Sequence, residues 1–84
     1  MLPIQNSPLS PAAQAVELLA NAQKGNRHAA LFDAARLLAQ AGADAENATN
    51  FLMAGALAIG LSHNAATRRS IARGLARGRS GGAL

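Results

Sequence analysis

The sequence predicts an all-α protein, a small four-helix bundle with a short irregular N-terminal arm. Three observations lead there. Alanine supplies 22 of the 84 residues and β-branched residues are few, a composition that favours helix over strand. Apolar residues recur at intervals of three and four in stretches separated by glycine, as on helices with one buried face. The third is Phe51 to Leu61, FLMAGALAIGL, eleven residues without a polar side chain and too short for a bilayer, which needs about 20. On a helix Phe51, Leu52, Gly55, Ala56 and Ile59 share one face, while Met53 and Leu57 point the other way. A helix apolar nearly all round is buried on more than one side. This segment is therefore expected at the centre of the bundle, with Gly55 and Gly60 letting neighbours come close.

The elements follow in order, as one domain over 1–84. Residues 1–9, interrupted by Pro3 and Pro8, read as the arm. Ser10-Pro11 is a good N-cap and first helical residue, opening a helix over 10–23 with Ala12, Val16, Leu19 and Ala20 on its inner side. Lys24-Gly25 breaks it. Asn26 caps a second helix over 27–41, whose inner stripe is Leu31, Ala34, Ala35 and Leu38. Asp33, Arg36 and Gln40 form its outer face, and Gly42 stops it. Asp44 caps a third helix over 44–61, with Glu46 in the first turn, where the helix dipole favours an acid. Ser62 caps a fourth over 62–78, with Thr67, Ile71, Gly74, Leu75 and Gly78 facing inward. Residues 79–84 read as a flexible tail.

Alanine buries little area, so the core is expected to be thin and the helices closely packed. At this length a single core is only marginally sufficient. The chain has no cysteine, which excludes disulfides and thiolate metal sites. The N-terminus lacks the positive region and apolar run of a secretory signal, so the cytoplasm is the expected compartment. Net charge is +4, and seven of the eight basic residues are arginine, which suits planar anionic partners, phosphates above all. Phe32 and Phe51, the two aromatic residues, fall on expected core faces, which counts against reading single strands by stacking bases on exposed rings.

Two stretches carry candidate chemistry. Lys24-Gly25-Asn26-Arg27-His28 is a basic glycine turn opening a helix, where backbone N–H groups and the dipole favour an anion; read blandly, it is a capped turn with solvated charges. It lacks the second glycine and the Lys-Ser/Thr pair of an NTPase loop. The other is the fourth helix, where Arg69, Arg73 and Arg77 follow at intervals of four with Arg68 and Arg79 to one side. No acid follows Glu46. A solvated face mixes both signs, and offsetting a helix dipole explains one or two of these arginines but not five. His28 and His63 have no metal-ligand spacing, and no pair of carboxylates suggests shared acid–base work. No catalytic residue, metal site or cofactor is expected.

The run Gly25-x-Arg27-His28-x-x-Leu31-Phe32-x-x-Ala35-x-x-Leu38, then Gly42, Ala56 and Gly60-Leu61, then Thr67-x-x-x-Ile71-x-x-Gly74-Leu75-x-x-Gly78 resembles a known family. It is the small helical domain that follows the catalytic domain in many phage and plasmid primases and primase-polymerases. The resemblance covers about Lys24 to Gly78. It implies a helix bundle that assists initiation by contacting the single-stranded template and the initiating nucleotide. Gly25, Arg27 and His28 would sit at a phosphate-contacting turn, and Thr67, Ile71, Gly74 and Leu75 would be packing positions. Two departures stand out. The family's turn usually reads Gly-x-Arg-Asn, where this chain has His28. Its fourth helix usually mixes acids into the first turn, where Ser62-His63-Asn64 is here followed only by arginines. A primase's catalytic carboxylates have no counterpart, so the chain is expected to be an excised domain, a separately encoded subunit or a relative put to another use.

The expected function is a non-catalytic accessory of a DNA replication primase, binding single-stranded DNA through Lys24, Gly25, Arg27, His28, Arg68, Arg69, Arg73, Arg77 and Arg79. The expected protein partner is a primase catalytic domain or another replication protein. The alternative is an interaction subunit or homo-oligomer, with the apolar excess around Met53 and Leu57 on its partner and the arginines on an acidic patch. A membrane-active peptide fits less well, because the third helix holds the apolar residues and the fourth the charge. A helix-turn-helix reader would find few Asn or Gln side chains on the fourth helix for base edges.

Overall fold

A computed structural model of the chain describes residues 10–82 and contains four helices: α1 (Pro11–Ala20), α2 (Arg27–Gln40), α3 (Ala45–Ala58) and α4 (Ala65–Gly82). The fold is all-α. The arm expected over 1–9 and the last two residues of the expected tail lie outside the described residues.

Hydrogen bonds at the helix ends explain where the boundaries fall. Ser10 Oγ accepts from the Ala13 amide at 3.2 Å, with Pro11 in the first turn. α1 then stops at Ala20, three residues before the expected end. The Gln23 amide donates to Asn26 Oδ1 at 2.7 Å instead of continuing the helical ladder, the competition Asn side chains offer the backbone. That bond also accounts for a second difference. Asn26, expected to cap α2, makes no side-chain cap bond, because its carboxamide oxygen is turned back to Gln23.

Two glycines end helices as their positions imply. Gly42 and Gly60 have φ of +87° and +98°. Beyond them, the Ala43 amide donates to the Leu38 carbonyl at 3.0 Å and that of Leu61 to the Ala56 carbonyl at 2.9 Å, the 6→1 bond of a Schellman end. Asp44 caps α3 by accepting from the Asn47 amide at 3.0 Å. α4 starts differently from expectation. Asn64 Oδ1, not the Ser62 side chain, accepts from the Thr67 amide at 3.0 Å. Ser62 contributes its carbonyl, which takes the hydroxyl of the buried Thr67 at 2.6 Å. The cap therefore falls two residues later, and α4 begins at Ala65.

Packing moves the centre of the bundle from α3 to α2. α2 contacts all three other helices, while α4 makes no contact with α1 among the described residues. Leu31, Ala34, Ala35, Leu38 and Ala39 of α2 are buried. α3 covers only one side: Ala48, Leu52, Met53 and Ala56 are buried, but Phe51 is 38% and Leu57 52% exposed. Phe51 is thus not a core residue, Phe32 is half-buried, and Met53 is unavailable to a partner. In α1 the buried residues are Ala15 and Leu19, whereas Val16 is half exposed. α1 lies mainly on α2, so its Val16–Ala20 side is left facing an open groove.

The closest approach is between α2 and α4. His28 meets Ser70, Phe32 and Ala35 meet Gly74, and Arg36 and Ala39 meet Gly78. Partner numbers rise together, so the two helices run parallel at an offset of 39 to 42 residues. A Cβ on Gly74 would stand 2.6 Å from the Ala35 Cβ and closer still to the Phe32 carbonyl oxygen; one on Gly78 would meet Ala39 and the Arg36 carbonyl in the same way. α4 continues past Gly78 to Gly82, over residues whose weak propensity predicts a tail.

Candidate nucleic-acid interface

α4 is 18 residues long and buries Thr67, Ile71, Gly74, Leu75 and Gly78 against the bundle. That fixes the opposite face. Arg69, Arg73 and Arg77 are exposed and follow one another four positions apart, slightly more than one helical turn, or about 6 Å of helix rise per step. Successive phosphates on an extended strand have comparable spacing. Arg36, on α2, has an acidic partner, Asp33 at 3.8 Å. Arg69, Arg73, Arg77 and Arg79 have none among the described residues.

The parallel pairing of α2 and α4 brings a histidine beside two of these arginines. His28, Ala66, Arg69, Ser70 and Arg73 line an open hollow of about 210 Å³. His28 Nδ1 is 3.0 Å from Ser70 Oγ, and Ser70 Oγ is 3.2 Å from the Ala66 carbonyl oxygen. Ser70 therefore positions the histidine. Its role has no local signature, since its partner is 42 residues away.

The other expected site residues are placed elsewhere. The half-buried Arg27 turns away from the hollow: its guanidinium lies against Gly60, 3.4 Å from where a Cβ on that glycine would stand. This is the C-terminal end of α3, where a cation is favoured by the helix dipole. Lys24 and Gly25 are exposed in the turn before α2, with Gly25 at φ +106°. Neither lines the hollow. Arg68 Nη2 donates to His63 Nε2 at 3.0 Å. Arg77 and Arg79 extend the exposed basic surface along α4.

No family model, curated protein or solved structure matches the chain. What the site binds must be read from its own chemistry. The hollow is open, basic and without a carboxylate, so it suits an anion with several oxygen acceptors. The described residues contain no group of three His, Asp or Glu side chains able to hold a metal, and no helix among them is long and apolar enough to cross a membrane.

A second hollow, of about 350 Å³, opens between α1 and α3. It is lined by Val16, Leu19, Ala20, Phe51, Ala54, Gly55, Ala58 and Ile59, with no charged side chain. It is the surface left over from the shift of the core onto α2.

Proposed function

We propose that the protein binds single-stranded DNA through the exposed face of α4 and the adjoining His28, as a non-catalytic cytoplasmic accessory of a replication primase. The observation that supports this most directly is the convergence of Arg69, Arg73 and His28 on one carboxylate-free hollow, in line with the exposed Arg77. Phosphates supply the affinity, and contacts to phosphate carry no base-sequence information. The motif order from Gly25 to Gly78 supports the primase assignment; an initiating nucleotide is the second ligand it implies. A primase catalytic domain or another replication protein is the proposed partner. The test is fluorescence anisotropy with labelled single-stranded and duplex DNA across a salt series. With about four phosphates engaged on a single strand, the log–log slope of affinity against salt is expected near −2.8. Affinity indifferent to salt, or no binding at low salt, would overturn the reading.

The uncharged α1–α3 groove favours a second reading, self-association. Its occupant would be a second copy of the chain. The groove carries no charge and the unpaired arginines lie on α4, which does not touch α1, so two copies can meet there without opposing their cations. Light scattering decides it. A dimer that survives high salt and is lost in Phe51→Glu is the expected result; a monomer at all concentrations sinks it.

A further inference from the structure

Two hydrogen bonds meet at Ser70 Oγ beside His28. The Ala66 carbonyl can only accept, and with the single Ser70 hydroxyl hydrogen donated there the histidine has none to receive. The contact between Ser70 Oγ and His28 Nδ1 is then satisfied only if Nδ1 carries the hydrogen. In the neutral ring this leaves Nε2 with a lone pair and no hydrogen. Nε2 has no partner among the described residues, and His28 is exposed beside Arg69 and Arg73. In that arrangement a neutral His28 offers phosphate an acceptor, which a phosphate oxygen cannot use. Protonation turns Nε2 into a donor and adds a third positive charge to the hollow.

We propose that His28 makes strand binding proton-linked: a phosphate enters the hollow together with a proton on Nε2, and Ser70 enforces this by excluding the tautomer that could bind without one. The inference rests on the nucleic-acid reading above and assigns a regulation to that site. The charged groups facing His28 within the hollow are Arg69 and Arg73 of α4; α1 and α3 contribute no residue to it. On its own stretch of chain, Arg27 is engaged at Gly60 and Lys24 stands in the preceding turn. Glu17 and Asp33 belong to a different hollow, between α1 and α2.

His63 is the necessary control. Arg68 has only donors, so the unprotonated Nε2 of His63 accepts from it, and acid would release that contact as well. The experiment is anisotropy of rhodamine-labelled oligothymidylate with the full chain between pH 5.5 and 8 at constant ionic strength. Imidazoles change charge in this window, whereas phosphodiesters and thymine do not. Wild type is expected to bind more tightly as pH falls, by at most about tenfold per pH unit for one proton. His28→Asn should be flat, and His63→Asn should keep the wild-type slope. Ser70→Ala frees the ring to carry its hydrogen on Nε2, so it should bind more tightly than wild type at pH 8 and show a shallower slope. Calorimetry in two buffers of different ionisation heat should record uptake of up to one proton in wild type and none in His28→Asn. Retention of the full slope in His28→Asn, or its loss only in His63→Asn, would overturn the proposal while leaving the nucleic-acid reading intact. Absence of salt-dependent binding at every pH would remove that reading and the proposal with it.

Discussion

Gly74→Ala is expected to melt about 10 °C below wild type, although it replaces a poor helix former with the best one. In an exposed helix interior this exchange stabilises by about 1 kcal/mol. At Gly74 the added methyl meets the Ala35 Cβ and the Phe32 carbonyl oxygen of α2. A flexible side-chain end could turn aside, but a helical carbonyl cannot. The seam must open along its length, loosening the buried Ile71 and Leu75. Overpacking of this kind costs about 1–3 kcal/mol, and the rigid contact places Gly74 at or beyond the upper end. The net loss is about 2 kcal/mol, and each kcal/mol lowers the melting temperature by about 4–8 °C in a domain of this size. Ala76→Gly, on the exposed face of the same helix, is the matched control. It removes a methyl and should cost about 1 kcal/mol through propensity alone. A melting temperature for Gly74→Ala above wild type would contradict the close α2–α4 packing.

The triple variant Arg69→Ala, Arg73→Ala, Arg77→Ala should abolish most of the salt dependence of strand binding. Each phosphate contact on a single strand contributes about 0.7 to the log–log slope, so three lost contacts take it from near −2.8 to near −0.7. Affinity at low salt should fall by at least about a hundredfold, since even a modest charge-assisted bond is worth about 1.5 kcal/mol. Stability should change little, because the three side chains are exposed and have no acidic partner among the described residues. A matched triple at Arg27, Arg36 and Arg68 removes the same formal charge. Those residues are engaged with Gly60, Asp33 and His63, so that triple should bind distinctly better than the first. Equal losses in the two variants would mean that net charge, not the α4 face, holds the strand.

The helices were legible because their signals are local. Ser10, Asp44, Gly42 and Gly60 sit within a few residues of the backbone groups they satisfy, and the stripe Leu31, Ala34, Ala35 and Leu38 is set by one helix's own period. Caps in competition were less legible. Asn26 and Asn64 can each bond more than one neighbour, and which bond forms depends on how the turn closes. The assignment of the core to α3 failed for a different reason. A wholly apolar segment such as Phe51–Leu61 declares what could be buried, whereas the number of helices lying on it is set by tertiary packing. The inward-facing Gly74 and Gly78 allow a close approach, but nothing local to α4 names α2 as the partner.

The candidate site divides along the same line. The period of four in Arg69, Arg73 and Arg77 is visible in the chain, as is the lack of neighbouring acids. The grouping of His28 with them, and the diversion of Arg27 to Gly60 and of Arg68 to His63, needed the fold.

The parallel register of α2 and α4 has a consequence for how the protein folds. Neighbours joined by a short turn can pack from the turn outward, as α2 and α3 can across Gly42. α2 and α4 cannot, because 39 or 42 residues separate the partners along their seam. Closing so long a loop has an entropic cost that must be met before any of the seam's contacts form. Non-local contacts of this kind slow the search, so docking of α4 is expected to be the committing event, and early folded α2–α3 hairpins would lack the hollow altogether. A ligand bridging His28 and Arg73 acts on the same step from the folded side. By binding only the docked state, it holds together the two ends of this loop, and local opening of α4 becomes rarer in proportion to its occupancy.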